Sequence, residues 1–457
     1  MNEVKRNKMA SLLYLIANLF NKGIAFLTVP IFTRLFSVSD YGIVTTYFSW
    51  VDIFSTFLSM ALYMSIRTFF IDFYKERFDF LNTIICFSTL FSLAMIGFAL
   101  LVYFFFPNMV VLLIILAVIQ GAFNAIIIDC QQHLMMEYKY VERSILMAVP
   151  NIVSILLSIC VIFYIPLNFK YLGRIVPTLI VHGIFILIIL FCLFKNNKPQ
   201  INKSYLKYGL SISFPLVFHG IALNILSQSD RTMITFLADS AQTGIYSLVY
   251  NLSMIAIVLT SSLDGVWVPW FLSHLNEKKY DEINKKAKLY IQLVTVAMIG
   301  IMLVGPEILM LLSTKKYWDG IVIIPPVVLS SYVIFAYSLY VNVEHFYKKT
   351  WVITKNTFIA ALMNIVLNFF LIPKYGYVAA AYTTLISYLI ALLLHADFTK
   401  VMIKQLFPLK IFRASFICLF VSFIVYYLFL NNFFIRWLLL FVFLTVFFMK
   451  YRKELIQ

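Results

Sequence analysis

The sequence predicts an all-α polytopic membrane protein of about fourteen transmembrane helices. Of its 457 residues 62% are hydrophobic and only 12% are charged, too little polar surface to hide the apolar remainder from water. A mean hydropathy of +0.92 agrees. Apolar runs recur along the whole chain, each near the ~20 residues that a helix needs to cross a hydrocarbon core. The five cysteines, Cys86, Cys130, Cys160, Cys192 and Cys418, all lie inside such runs. They read there as small apolar residues rather than as a disulfide or metal framework.

The opening "MNEVKRNKMASLLYLIANLF" pairs a basic start with an apolar run but is followed by no small-residue cleavage site, so an uncleaved first span is expected at 10–31. Polar breaks then delimit spans at 41–66, 80–105, 108–135, 144–166 and 171–194. After the basic stretch from Lys195 to Lys207 they continue at 208–238, 241–272, 288–312, 321–343, 352–372, 376–398, 411–430 and 433–449. Charge orients them, because cytoplasmic loops accumulate Lys and Arg. Counted from a cytoplasmic N-terminus, 27 of the 36 Lys and Arg fall in inner segments and six in outer ones. Lys22, Arg174 and Arg231 remain at membrane depth. Both termini are therefore expected in the cytoplasm. The net charge of +16 is mostly membrane topology, with no basic aromatic module behind it, so nucleic acid is not an expected partner.

Every outer connection is short, which leaves no room for a catalytic or receptor domain and puts the function inside the helix bundle. A membrane polysaccharide polymerase or ligase would carry a larger outer loop, and no nucleophile motif, phosphate loop or metal spacing is present. An enzyme is not expected, nor a cofactor. A faint internal repeat links "TRLFSVSDYGIVTTYF" at Thr33 to Phe48 with "TFLADSAQTGIYSLVY" at Thr235 to Tyr250, 202 residues later. A second links "NIVSILLSICVIFYIPLNFKYLGRIVPTLI" from Asn151 with "NIVLNFFLIPKYGYVAAAYTTLI" from Asn364. Both begin on inner-to-outer helices six spans apart, which implies parallel halves related by an axis along the membrane normal.

The stretch "FLTVPIFTRLFSVSDYGIVTTY" resembles the first outer turn of the Wzx-type oligosaccharide flippases, the polysaccharide transporter family within the superfamily of multidrug and lipid-linked oligosaccharide exporters. "SQSDRTMITFLADSAQTGIYSLVY" resembles that family's seventh helix and following turn, and "NIVLNFFLIPKYGYVAAAYTTLISY" its eleventh-to-twelfth helix connection. The resemblance implies two pseudo-symmetric six-helix lobes around a central cavity plus two C-terminal helices. On this sequence these are 1–207 as the N-lobe with its linker, 208–398 as the C-lobe and 399–457 as the C-terminal pair. It further implies export of an undecaprenyl-pyrophosphate-linked oligosaccharide (O-antigen, capsule or a related repeat unit) from the inner to the outer leaflet of a bacterial plasma membrane. Membrane lipids, a polysaccharide polymerase and glycosyltransferases would be its partners. "FYIPLNFKYLGRIV" departs from the family's small-residue pattern at Arg174.

Charges at membrane depth are costly, ~2.5–3.5 kcal/mol at a helix centre on insertion scales, so they face a wet cavity or a partner. Asp230 and Arg231 stand in "NILSQSDRTMITFL". As neighbours on a helix they diverge by about 100° and each needs another partner. Asn224, Ser227, Gln228 and Arg231 recur at spacings of three and four and form one polar face, with Asp230 on its margin. In the first span Asn18, Asn21 and Lys22 share a face that Thr28 and the membrane-edge Arg34 extend. The expected substrate-binding set is thus Lys22, Arg34, Arg174, Asn224, Gln228, Asp230 and Arg231, with Lys22 and Arg231 on the phosphates. Structural alternatives stand beside each: an interhelix ion pair for Asp230 and Arg231, helix glue for Asn18 and Thr28, and snorkelling for Arg174. Arg67, Lys75 and Arg77 read as lipid-headgroup contacts, and His182 and His219 as packing residues on apolar helices. Asp52, Asp129 and Asp264 are candidates for a sodium or proton coupling site. A multidrug antiporter of the same superfamily is the alternative reading, which would require unpaired carboxylates where basic charge is in excess here.

Overall fold

A computed structural model describes residue 23, residues 26–195 and residues 197–456, with the side chains of 215, 219, 254 and 453–456 outside that description. The described chain is helical and contains no strand. This follows from the solvent: in hydrocarbon every backbone N–H and C=O must be satisfied within the protein, which helices do internally. In order the helices are α1 (Phe26–Leu35), α2 (Val38–Leu58), α3 (Leu62–Asp72), α4 (Arg77–Phe105), α5 (Met109–Met136), α6 (Tyr140–Ile162), α7 (Leu172–Phe194) and α8 (Lys203–Leu237). They continue as α9 (Ser240–Tyr250), α10 (Leu252–Asn276), α11 (Tyr280–Leu312), α12 (Ile324–Phe346), α13 (Thr350–Met402), α14 (Arg413–Leu428) and α15 (Phe433–Ile456). Each of the fourteen expected spans has a helical counterpart among the described residues. The first is described only in α1, and the eleventh and twelfth are the two arms of α13. The protein is a multi-pass membrane protein.

Two spans differ in detail from the sequence reading. The second is broken: α2 stops at Leu58, and Met60 (φ 47) and Ala61 (φ 50) take the left-handed conformation before α3 resumes. For residues with a Cβ that conformation costs about 1–2 kcal/mol each, so the break is held by its surroundings. α3 carries the span on to Asp72, and Arg67 lies on it, exposed and donating to Gln132 Oε1 at 3.4 Å. The seventh span is also bent, by 45° between Lys203–Phe214 and Leu216–Leu237. The bend falls at residue 215, where the sequence has a proline and so no N–H to continue the ladder.

Helix ends show how local sequence sets the boundaries. Ser37 caps α2, accepting from Asp40 N at 3.0 Å while its hydroxyl donates to Asp40 Oδ2 at 2.6 Å, a variant of the capping box. Asn108 caps α5 and Asn202 caps α8 in the same manner. Three helix-to-helix turns share one construction. Tyr138 (φ 59), Lys278 (φ 58) and Lys348 (φ 56) each follow a helix end in the left-handed region. The next residue's N–H reaches back five residues: Lys139 to Leu134 O at 2.9 Å, Lys279 to His274 O at 3.0 Å, Lys349 to Glu344 O at 2.8 Å. This is the Schellman arrangement, and the lysine in each turn also suits the negative helix C-terminus.

Contacts divide the chain into two compact units, one through Thr243 and one from Gly244 onward. In the first, α2 packs against α5 and α8, α6 against α7, and α4 against α5. Its largest apolar cluster gathers Leu62, Ile66, Phe69, Phe80, Ile84 and Ile126, with Phe69 stacked on Phe80 at 3.8 Å between centroids. In the second unit α11 is central, packing against α10, α12, α14 and α15, while α12 lies along α13. α13 is 53 residues long, about 80 Å if straight and far more than one bilayer core. It reverses at Gly376, whose φ of 58° and ψ of −145° no L-residue adopts without strain. The two arms are joined across the hairpin by Asn364 Nδ2 donating to Thr384 Oγ1 at 3.3 Å and Thr383 Oγ1 donating to Asn368 Oδ1. Gly376→Ala is expected to destabilise the protein by about 1–3 kcal/mol, the usual cost of a residue forced into such a region. A thermal midpoint in detergent equal to that of the parent would show that the turn relaxes instead.

Candidate functional site

On the predicted polar face of α8, Asn224 and Gln228 are hydrogen-bonded to α2, as are Thr232 and Thr235 one and two turns further along. Thr235 pairs with Thr46 at 2.7 Å, Trp50 Nε1 donates to Thr232 at 2.9 Å, Ser49 Oγ donates to Gln228 Oε1 at 3.3 Å, and Asn224 Nδ2 donates to Thr56 Oγ1 at 2.7 Å. In an apolar medium such contacts hold helices together, so this face serves packing as well as a wet surface. Arg231 is buried, donating to Gln228 Oε1 and to Ser227 O at 3.3 Å, and Asp52 on α2 lies within reach of its charge. Asp230 is 1% exposed. The acid and the base in this apolar run, adjacent on a helix, diverge by about 100°, and the Arg231 guanidinium runs back along α8 to Gln228 and Ser227.

Arg174 occupies a cage in the first unit. Its Nη1 donates to Ser158 Oγ at 3.2 Å, to Thr178 Oγ1 at 3.2 Å and to Ser154 Oγ at 3.4 Å. Its guanidinium lies 5.1 Å from the Phe32 ring centroid and 5.5 Å from that of Phe48, within cation–π range. No ion pair among the described residues involves it. A guanidinium among hydroxyls and aromatic faces keeps its full positive charge available to an anion.

Between α2, α5, α6, α7 and α8 lies a cavity of about 310 Å³. Asp52, Asn124, Gln131, Asn151, His182 and Asn224 contribute its polar lining, and Ile127, Ile128, Leu146, Met147 and Pro150 the apolar part. Local chemistry explains several of these positions. Pro150 has no N–H to give to Leu146 O, one turn earlier in α6, and Gln131 Nε2 approaches that carbonyl at 3.4 Å. Asn151 Nδ2 donates to Met147 O at 2.9 Å. His182 is 7% exposed, with Nδ1 bonded to Asn124 Oδ1 at 2.9 Å and Nε2 without a partner among the described residues. Ser55, 4% exposed, also lines the cavity, and its Oγ has no partner there either. The sequence singles out Asp52, His182 and Asn224 separately but does not bring them together with Asn124, Gln131 and Asn151, because each taken alone is a single polar group on an apolar helix. The available signal was one such group near the middle of five different spans.

The remaining expected residues are spread out. Lys22 lies outside the described residues, as do Asn18 and Asn21, and the side chain of His219 is outside them too. Arg34 is exposed and donates to Pro30 O at 2.7 Å, within its own helix. Asp129 is fully buried with Ser88 Oγ donating to Oδ2 at 3.4 Å, and Asp264 accepts from Tyr290 OH at 2.8 Å. Arg77, expected at lipid headgroups, instead pairs with Glu137 and lies 4.1 Å over the Tyr74 ring.

Residues 10–275, more than half of the chain, match the family model described as Polysaccharide biosynthesis protein. The chain belongs to that family. Two relatives of the chain come from Haemophilus influenzae. An "Uncharacterized membrane protein" is 21% identical over 323 residues, covering 68% of this chain and 76% of the relative. "Lsg locus putative protein 1" is 20% identical over 322 residues, covering 67% and 77%. Among solved structures, the lipid II flippase MurJ in an inward closed conformation superposes with a TM-score of 0.70 at 19% identity, covering 98% of this chain and all of that one. An inward-facing multidrug transporter of the MATE family superposes with a TM-score of 0.57 at 14% identity, covering 83% and 98%. The chain thus shares the fold of these two solved structures.

Proposed function

We propose that the protein is a flippase that carries an undecaprenyl-pyrophosphate-linked oligosaccharide from the inner to the outer leaflet of a bacterial plasma membrane by alternating access. The observation that carries this reading is Arg174, a cation within a transmembrane helix whose guanidinium, among the described residues, is surrounded by hydroxyls and aromatic rings. In a low-dielectric setting it attracts a phosphate far more strongly than it would in water. Arg231, Gln228, Asn224 and Arg34 add positive charge and hydrogen bonds, and Lys22 and Asp230 complete the proposed substrate set. Both termini lie in the cytoplasm in this reading, 1–207 and 208–398 act as the two moving halves, and 399–457 is accessory. The outward step moves negative phosphate down an inside-negative potential, favourable by ~2.3 kcal/mol per charge per 100 mV if the whole field is crossed. Glycosyltransferases would supply the substrate and a polymerase would take it up.

The test is reconstitution in vesicles carrying lipid-linked oligosaccharide in one leaflet, with transfer read from its accessibility to a sugar-modifying reagent on the other side. Protein-dependent transfer is the expected result. Exchange of a cationic amphiphile for sodium or protons, without lipid transfer, would make the chain a multidrug antiporter instead.

A further inference from the structure

In the second unit, α12, the second arm of α13 and α14 enclose a groove of about 840 Å³. Val333, Leu392 and Leu419, each at most 2% exposed, form its floor, and Leu393, Ile417 and Phe420, each more than half exposed, form its rim. The groove follows from how α14 is held. At one end the helix is tied down: Tyr427 OH meets Tyr382 OH of α13 at 3.2 Å and donates to Val322 O at 2.7 Å, while Tyr426 OH donates to Ile321 O at 2.7 Å. Elsewhere α14 packs chiefly on α11, and the space between it and α13 stays open. The open end carries the charge. Lys410, on the turn Leu409–Phe412, and Arg413, the first residue of α14, are both exposed and both line the groove. No ion pair among the described residues involves either. Every other described residue of the lining is Leu, Val, Ile or Phe, and none is acidic.

We infer that this groove is a binding site for an anionic glycerophospholipid, with one acyl chain along its apolar walls and the phosphate between Lys410 and Arg413. Any apolar slot open to a bilayer takes up hydrocarbon. Two cations at one end with no acid beside them add a choice of headgroup, as basic sites between transmembrane helices do. The start of α14 contributes the positive end of its dipole at the same place. Length agrees with one chain of one leaflet. From Arg413 to Phe420 the groove follows α14 for about 10 Å at 1.5 Å per residue, within the ~15 Å that half of a hydrocarbon core provides. The Tyr382–Tyr427 contact closes the gap about two turns further on, so a polyprenyl chain several times longer finds no continuing slot. A lipid seated here fills the space that α14 leaves beside α13 and becomes part of the packing of the second unit. The site does not depend on the flippase reading; in the orientation proposed above, its charged mouth opens at the cytoplasmic leaflet.

The experiment uses the purified full-length protein in detergent, stripped of lipid. The probe is phosphatidylglycerol with a photoreactive group in one acyl chain. Illumination and peptide mapping should place the label on 385–393 and 416–420, and unlabelled phosphatidylglycerol should compete for it where phosphatidylcholine does not. Lys410→Ala combined with Arg413→Ala should weaken capture about ten- to thirtyfold, each basic residue near an anionic lipid being worth about fivefold. Leu393→Trp, on the rim, should block the chain while both charges remain. All three altered side chains are exposed, so without lipid the thermal midpoints of the variants should equal that of the parent. Added phosphatidylglycerol should raise the parent's midpoint and leave theirs in place. Label spread over every exposed apolar helix face, equal capture of a phosphatidylcholine probe, or unchanged capture by either variant would overturn the inference. So would stronger competition by undecaprenyl pyrophosphate than by phosphatidylglycerol, which would make the groove a seat for the substrate's tail.

Discussion

Arg174→Ala should lower transfer of the lipid-linked oligosaccharide by about ten- to a hundredfold, the value of one hydrogen-bonded contact to a charged group, without preventing insertion and folding. The second half of that expectation comes from the cage itself. Ser154 Oγ donates to Asn151 O at 2.9 Å, Ser158 Oγ to Ser154 O at 2.5 Å and Thr178 Oγ1 to Arg174 O at 2.7 Å. Each hydroxyl is therefore satisfied without the guanidinium, and removing the side chain strands no donor. Arg174→Lys should keep part of the activity, since lysine retains the charge but loses the planar fork. Arg231→Ala should show a similar loss of transfer, because it removes the second buried guanidinium of the proposed set. The readout is transfer per folded molecule. Parental transfer by well-folded Arg174→Ala and Arg231→Ala would end the cationic-site mechanism while leaving the family and fold intact.

The fold was more legible in the sequence than the site, for physical reasons. A membrane span declares itself by length and hydropathy alone, and "LIPKYGY" marks the reversal at Gly376 because few residues other than glycine tolerate that backbone. The break in the second span could not be read this way. Met60 and Ala61 carry no turn signal, and their left-handed geometry is imposed by packing rather than by local preference. The polar face of α8 was visible as a spacing, but whether it meets water or another helix depends on α2, whose Thr46, Ser49, Trp50 and Thr56 fall opposite it only in three dimensions. The cavity lies further still from sequence reasoning, since its residues come from five helices spread from 52 to 224. Arg436 shows the same limit: it is 2% exposed, pairs with Glu307 and donates to Leu303 O at 2.8 Å, with both partners on α11.

Glu344→Ala should be the most damaging substitution for stability in the second unit. Glu344 on α12 and His395 on α13 are both completely buried, and His395 Nδ1 lies 2.8 Å from Oε2 and 3.0 Å from Oε1 of the carboxylate. Tyr337 stacks beside the imidazole at 5.7 Å, and His395 Nε2 has no partner among the described residues. Losing the carboxylate would leave both ring nitrogens buried without acceptors or donors. If the pair is ionic, breaking it on one side costs about 3–5 kcal/mol. If it is a neutral hydrogen bond the loss is nearer 1–3 kcal/mol, so the size of the effect reports the charge state. Glu344→Gln should retain one hydrogen bond and most of the stability. Replacing both together, as Glu344→Leu with His395→Phe, should restore the parental level or exceed it, since apolar packing often matches a buried pair. Thermal midpoint and yield of folded protein measure these effects, and transfer per folded molecule should stay near parental throughout. A Glu344→Ala protein that folds normally yet fails to transfer substrate would show that the pair serves the transport cycle and not the architecture of the second unit.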